Sequence, residues 1–266
     1  MKKKVNVGII GAGNMGEAII RGLGKSKEFF VYIYEKDKAR SSEISKNFFA
    51  KENTLEQLIK QCKIIIICVK PQDIDKLIFR IKGHISTRHL LISIAAGITT
   101  AHIEKSLDKK VAVIRTMPNL PGLIGQGFTA YCLGKRASKN DAQYAKIIFK
   151  TIGKVLETKE NKMDAITAIS SSGPGFIAYF IEVLQAAAVD IGLDEKEARL
   201  LAVNAAAGTA NMLLDANIDP AQMVKRVASP GGTTEAGLKE LHKGKLKLIG
   251  ARTLKAAKKR AKELSK

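Results

Sequence analysis

The sequence predicts an α/β domain built on a parallel sheet, followed by an all-α domain. Up to about residue 160, continuous Val/Ile runs alternate with amphipathic segments, a pattern typical of a parallel sheet with helices on both faces. A glycine-rich turn follows the first of these runs. Beyond residue 160 the strand patterns stop and helical periodicity continues to the end. We therefore predict two domains, residues 1–160 and 161–266.

The predicted elements of the first domain are short Val/Ile-rich strands and the amphipathic helices between them. The strands are residues 5–10, 30–34, 64–69, 89–94, 111–115 and 154–157, and the helices are 13–23, 36–47, 54–61, 71–81, 99–107 and 141–151.

The second domain is predicted to contain three long helices, 174–192, 195–215 and 245–264, and shorter ones at 161–169, 219–226 and 234–242. The segment from Ala198 to Ala210 is rich in small residues, which let helices approach closely. The apolar content exceeds what a lone domain of this size needs, so we expect these helices to form an oligomer interface.

Composition limits the class of protein. A length of 266 residues and a hydrophobic share of 45% suit a folded two-domain chain. The net charge of +20 comes from scattered lysines without aromatic platforms, which indicates a solvated surface that attracts small anions and argues against nucleic-acid binding. The three cysteines show no repeated spacing, so neither a disulfide framework nor a metal site is indicated, and Cys68 is expected to be a buried, reduced thiol.

A cytoplasmic location without a membrane partner is predicted by elimination. The apolar stretch that follows the basic start, residues 1–4, ends at Gly11, which does not fit a secretory signal. The most apolar segment, Phe176 to Leu193, is interrupted by Glu182 and Asp190 and falls short of an uncharged membrane span.

The first chemical motif is the G-x-G-x-x-G sequence from Gly11 to Gly16. It follows a predicted strand and opens a predicted helix, the context that indicates a Rossmann dinucleotide-binding domain rather than an unliganded turn. Gly11 permits the tight turn, Gly13 lets the backbone approach the pyrophosphate, and Gly16 allows close helix packing. The pyrophosphate is expected on free amides at the positive end of the helix. Cofactor contacts are predicted for Gly11, Gly13, Asn14, Met15 and Gly16.

The sequence does not decide whether the cofactor's ribose carries a 2′-hydroxyl or a 2′-phosphate. Glu35 ends the second strand, 24 residues beyond Gly11, where a carboxylate usually binds the ribose 2′-hydroxyl of NAD. Lys36, Lys38 and Arg40 follow at once and could serve a 2′-phosphate. Glu35 and Lys36 are both predicted to contact the cofactor, NADPH or NADH, and a charged, solvated turn is the alternative.

Five further segments carry the functional assignment. Three of them, Val69–Gln72, Ser93–Ile98 and Arg115–Pro121, fall at carboxyl ends of predicted parallel strands, where open α/β sheets bind ligands. The other two, Ser170–Gly175 and Ser229–Leu238, belong to the second domain.

Together these motifs resemble the pyrroline-5-carboxylate reductases from about residue 5 to residue 242, and Ser229–Thr234 (SPGGTT) is the most specific match. The resemblance implies NAD(P)H-dependent reduction of 1-pyrroline-5-carboxylate to L-proline. It also implies an all-α dimerisation domain that intertwines with its partner, often within rings of dimers. Cofactor-lining positions implied by it are Val69, Lys70, Pro71, Ala95, Ala96, Gly97 and Asn119.

The turn before the helix at 234–242 suits a substrate carboxylate. Its amides lie at a helix N-terminus, and Gly231 and Gly232 let an anion come close. By resemblance, Thr234 is the catalytic hydroxyl beside the imine nitrogen, as hydrogen-bond partner or proton relay, and Ser229 and Thr233 are substrate contacts. The alternative is that Thr233 and Thr234 merely cap the helix.

Departures from the family pattern keep other functions open. Leu120, Ser171 and Gly175 replace the usual residues, so reduction of another cyclic imine is an alternative. A hydroxyacid dehydrogenase of the same architecture would carry a lysine on a long helix, and Phe176–Val189 contains none. A dinucleotide-binding regulatory protein is the non-enzymatic alternative.

Overall fold

The computed structural model describes residues 4–264, so the first three residues of the basic start lie outside the described part. The chain packs as two units. Among the described residues, one unit comprises 4–172 together with 256–264, and the other is Gly173–Lys255. These units describe how the chain packs, and the domain boundary that we predict after residue 160 stays a prediction.

The first unit contains an eight-stranded sheet in the order β3-β2-β1-β4-β5-β6-β7-β8. The order of the first six strands is that of a doubly wound dinucleotide-binding fold, so the α/β prediction is confirmed. The strands are β1 Val5–Ile10, β2 Phe29–Tyr34, β3 Lys51–Glu52, β4 Ile64–Ile67, β5 Leu90–Ser93, β6 Ala112–Met117, β7 Gly127–Leu133 and β8 Gly153–Glu157.

The helices of the first unit begin at clear capping residues. Thr54, Thr99 and Ser138 each accept the backbone N–H of the third residue of the helix that follows, which satisfies one of its unpaired donors. The helices are α1 Asn14–Gly24, α2 Lys38–Phe48, α3 Leu55–Gln61, α4 Ile74–Ile81, α5 Thr100–Leu107, α6 Lys139–Lys150 and α7 Met163–Ile166.

The sheet is covered on both faces. In β4, Ile64 and Ile66 join the core that includes α1 and α6, while Ile65 and Ile67 join the core that includes α3, α4 and α5. All four side chains are fully buried. The continuous apolar run therefore reflects a strand packed on both sides.

The prediction of an all-parallel sheet is wrong at β7, which pairs antiparallel with β6 and parallel with β8. Only residues 118–126 connect β6 to β7. Parallel pairing needs a crossover of about a dozen residues or more, so this shorter connection reverses the chain. The sequence reading also missed β3, a two-residue edge strand.

The second unit is helical, as predicted. It consists of α8 Gly173–Asp190, α9 Glu195–Asp215, α10 Pro220–Val227, α11 Thr233–Lys243 and most of α12 Leu246–Glu263. Within α8 to α11, the buried side chains are Ala198 and Ala202, both on α9.

Large apolar side chains of this unit are exposed in the single chain. They include Ile177, Tyr179, Leu200, Leu201 and Leu214, each more than half exposed. Large apolar side chains left exposed in this number are typical of a surface that another molecule covers.

The helical stretch Glu160–Asp190 is long and apolar enough, by length and composition, to cross a membrane, with a mean hydropathy of 1.2. This differs from the expectation that no segment would suffice. The reason is that helical turns before residue 173 run on into α8, which makes the stretch longer than the predicted helix 174–192.

Candidate functional site

A cavity of about 420 Å³ opens at the carboxyl ends of β1, β2 and β4, the edge at which open α/β sheets bind ligands. A larger cavity, about 580 Å³, lies at the opposite edge among side chains such as Lys60, Lys63 and Arg88, and it lacks a glycine turn. The first cavity is therefore the candidate dinucleotide site. It is lined by Ile10, Gly11, Gly13, Tyr34, Glu35, Lys36, Cys68, Val69, Lys70, Gln72, Asp73, Lys76, Leu77 and Arg80.

The three glycines of the turn do different things. Gly11 has a φ of +98°, and a Cβ there would lie 2.7 Å from the Cys68 carbonyl oxygen. A Cβ at Gly16 would overlap the Gly11 carbonyl, so this glycine lets α1 start close to the turn. Gly13 is different, because a Cβ there meets nothing within 4 Å. The space beside Gly13 fits the close approach of a pyrophosphate to the N-terminus of α1.

Replacing Gly13 with valine is expected to weaken NADH binding about tenfold, since the new side chain enters space that only a ligand would fill. The melting temperature is expected to fall only slightly, because valine is a poorer N-cap of α1 than glycine. Calorimetric titration with NADH measures the first effect and a thermal melt the second. Gly83→Val is the matched control, because its Cβ also meets nothing within 4 Å and lies outside the cavity. Unchanged affinity in Gly13→Val would contradict the placement of the pyrophosphate.

Glu35 is held firmly at the end of β2. Its carboxylate accepts the Ala12 N–H at 2.6 Å and the Asp37 N–H at 3.2 Å. The side chain therefore lies against the glycine turn and forms one wall of the cavity together with Lys36.

The predicted residues after β4 and β5 fall in two places. Val69 and Lys70 line the cavity, and Pro71 begins the short 3₁₀ turn next to it. Ala95, Ala96 and Gly97 follow β5 and do not line it. Gly97 has a φ of +75°, and a Cβ there would overlap the backbone of Leu264, so this glycine is required for packing.

The side chain of Asn119 is hydrogen-bonded to other residues of the protein. Its side-chain amide donates to the Ser170 carbonyl at 3.1 Å, and its oxygen accepts the Phe128 N–H at 2.7 Å. The side chain thus joins the end of β6 to the start of β7 and to the segment that precedes α8. Its cofactor contact stays a prediction.

The segment Thr167–Ser171 forms a π-helical turn that the sequence reading did not predict. Such turns are rare and often lie at functional sites. The Ser171 hydroxyl donates to the Pro118 carbonyl at 3.4 Å, so the turn is tied to the loop that follows β6.

In the second unit, the turn that is predicted to bind the substrate carboxylate lies at the start of α11. Gly231 has a φ of +72°, and its N–H donates to Glu235 at 2.6 Å. The Gly232 N–H donates to the Ser229 carbonyl at 3.0 Å. Both glycine amides are therefore engaged within the turn, contrary to the expectation that all of its amides would be available.

The first-turn amides of Thr233 and Thr234 remain for an anion, because they precede the helix's own hydrogen bonds. Gly232 is the N-cap, and no side chain caps α11, so the alternative that the two threonines are capping residues is wrong. The hydrogen bond from Gly231 and the ion pair with Lys239 lower the pKa of Glu235, which keeps this carboxylate ionised.

Sequence reasoning missed several cavity residues, among them Asp73, Lys76 and Arg80. Lys76 and Arg80 are four residues apart on α4, directly after the end of β4, and this spacing could have indicated them.

Cys68 is half-buried and lines the cavity, whereas full burial was expected. All three cysteines are free, and desolvation raises the pKa of the Cys68 thiol. Among residues 4–264, no group of three or more His, Cys, Asp or Glu side chains could hold a metal ion.

Comparison with known protein families matches both parts of the chain. Residues 160–264 match the family described as pyrroline-5-carboxylate reductase dimerisation, and residues 6–97 match that described as NADP oxidoreductase, coenzyme F420-dependent. The first match indicates homo-oligomerisation, in agreement with the exposed apolar side chains of the second unit. No nucleic-acid or membrane partner is indicated.

Individual relatives cover nearly the whole chain. Pyrroline-5-carboxylate reductase 2 of Bacillus subtilis is 37% identical, over 91% of this chain and 87% of its own length. The structure of the Coxiella burnetii reductase superposes with a TM-score of 0.93 at 32% identity and covers 99% of this chain and 100% of its own. The Plasmodium falciparum reductase with NADP bound gives 0.86 at 30% identity, with 98% of each chain covered. The chain therefore belongs to the pyrroline-5-carboxylate reductase family.

Proposed function

We propose that this chain reduces 1-pyrroline-5-carboxylate to L-proline with NADPH or NADH, the last step of proline biosynthesis. The observation that carries the proposal is the sequence identity of 37%, over 91% of the chain, to pyrroline-5-carboxylate reductase 2 of Bacillus subtilis. The open space at Gly13 and the helix-opening turn at Gly231–Thr234 support it, because they suit a dinucleotide and a small carboxylate.

The substrate is a five-membered ring with a C=N bond and a carboxylate. When bound, the reduced nicotinamide supplies a hydride to the imine carbon. The nitrogen takes a proton and becomes a secondary amine. The turn Gly11–Gly16, Glu35 and Val69–Lys70 hold the dinucleotide at the edge of the sheet. The amides of Thr233 and Thr234 hold the substrate carboxylate at the positive end of α11.

Thr234 provides the hydroxyl that hydrogen-bonds the ring nitrogen and fixes its orientation, and the Ser229 hydroxyl contacts the substrate nearby. Glu235 is not the proton source, because its lowered pKa keeps it ionised while it binds Gly231 and Lys239. No strong acid is required, since a protonated imine is already a good hydride acceptor. Positioning of the two reactants contributes several kcal/mol to the rate.

The working form is proposed to be a cytoplasmic homodimer, or a ring of dimers, joined through the C-terminal helices. The exposed apolar side chains of α8 and α9 support this proposal, because they are the surface that a second copy would bury.

The test is a spectrophotometric assay at 340 nm with pyrroline-5-carboxylate, run with NADH and NADPH in parallel. We expect absorbance to fall and proline to appear in equal amount. A protein that binds a dinucleotide but turns over neither mixture would refute the proposal and favour a regulatory role. Turnover of a different cyclic imine alone would instead point to the departures at Leu120, Ser171 and Gly175.

A further inference from the structure

The connection between β2 and α2 is where a Rossmann fold distinguishes a ribose 2′-hydroxyl from a 2′-phosphate. Glu35 occupies the end of β2 here. Its two hydrogen bonds, from the N–H groups of Ala12 and Asp37, fix the carboxylate at the cavity wall. Each carboxylate oxygen has more than one acceptor site, so Glu35 can still accept a ribose hydroxyl.

The guanidinium on α2, next along the chain, is already engaged. Arg40 forms an ion pair with Glu17 and a second one, at 2.8 Å, with Glu43. Its Nε also donates to the Ala12 carbonyl at 3.2 Å. A phosphate would have to compete with two carboxylates for this side chain.

Carboxylates also lie beside two other possible phosphate sites. The N-terminus of α2 is capped by Asp37, which accepts the Arg40 N–H at 3.2 Å and puts a negative charge where an anion would bind. The Lys38 Nζ lies 3.8 Å from a carboxylate oxygen of Glu52.

One basic side chain of this connection remains. Lys36 lines the cavity and makes no ion pair with any residue between 4 and 264. It stands against the fixed charges of Glu35 and Asp37. A 2′-phosphate adds about two negative charges next to the fixed carboxylate of Glu35, and this contact is repulsive.

We propose that Glu35 makes this protein select NADH over NADPH. The inference rests on the proposed function, and it specifies the cofactor of that reaction. Glu35 accepts the ribose 2′-hydroxyl and repels a 2′-phosphate, and Arg40 is already paired with Glu17 and Glu43. The cations that line the cavity attract the phosphates of either dinucleotide; they are Lys36, Lys70, Lys76 and Arg80.

Binding constants test the proposal without turnover. Calorimetric titration of the full chain is expected to give a Kd for NADH at least tenfold below that for NADPH. In Glu35→Gln, which keeps an acceptor for the Ala12 N–H and loses the charge, the ratio of the two constants is expected to move at least tenfold toward NADPH. Glu56→Gln removes an exposed carboxylate outside the cavity and is expected to leave the ratio as it was.

Equal or tighter binding of NADPH by the unmodified chain would overturn the proposal. An unchanged ratio in Glu35→Gln, with a thermal melt showing the fold intact, would overturn it as well. The proposed function fails separately: pyrroline-5-carboxylate would then be reduced with neither cofactor, whatever the two binding constants are.

Discussion

Replacement of Thr234 by alanine is expected to lower turnover more than tenfold, which corresponds to at least about 1.4 kcal/mol of added barrier. The hydroxyl is half-buried in the first turn of α11 and makes no hydrogen bond with any residue between 4 and 264. The substitution therefore removes a group available to substrate without breaking a contact of the fold. Steady-state kinetics with saturating cofactor measure the effect.

Two further variants make the Thr234 result specific. Thr234→Ser restores a hydroxyl and is expected to recover most of the turnover. Thr253→Ala removes a hydroxyl from α12 that donates to the Ile249 carbonyl at 3.0 Å, and it is expected to keep nearly full activity. Near-normal turnover in Thr234→Ala would remove this residue from the mechanism.

Replacement of Arg115 by methionine is expected to lower the free energy of unfolding by about 3 kcal/mol. Arg115 lies in β6 with 2% exposure, and its guanidinium donates to Glu160 at 3.0 Å and to Asp164 at 3.3 Å. Glu160 also accepts the Thr100 hydroxyl. The expected loss lies at the lower end of the range of destabilisation for a broken buried ion pair, because both carboxylates keep some contact with water.

Urea unfolding at one fixed protein concentration measures this loss, since oligomers unfold in a concentration-dependent way. Arg260→Met is the control. Arg260 is exposed and pairs with Glu263 at 3.1 Å, and surface pairs of this kind contribute roughly 0–1 kcal/mol. Equal stability of Arg115→Met and the unmodified chain would show that the buried pair contributes nothing.

The elements best predicted from sequence are those whose signals are local. The bounds of β1 and α9 agree with the structure, because β1 is a compact apolar run and α9 begins where Asp194 accepts two backbone N–H groups. β7 was missed, although it is seven residues long. Its place in the sheet depends on pairing with β6 and β8, which no local pattern reveals.

In the candidate site, too, local features could be predicted from the sequence and long-range contacts could not. The roles expected of Gly11 in the turn and of Gly16 in close packing agree with the local backbone geometry, because a glycine's role follows from chain conformation. The pyrophosphate contact of Gly13 stays a prediction. The engagement of Arg40 by Glu17 could not be predicted, since it joins side chains 23 residues apart on different helices. The use of the Gly231 amide by Glu235 depends on a rotamer, which sequence does not specify either.

The return of the C-terminus to the first unit has a consequence for biosynthesis. Ala261 is buried, and the backbone of Leu264 lies against Gly97, so the final turns of α12 complete the packing of a unit that begins at the other end of the chain. Domains generally start to fold as they leave the ribosome, N-terminal part first. Here the sheet can form early, but the loop after β5 gains its cover only after Leu264 has left the ribosome.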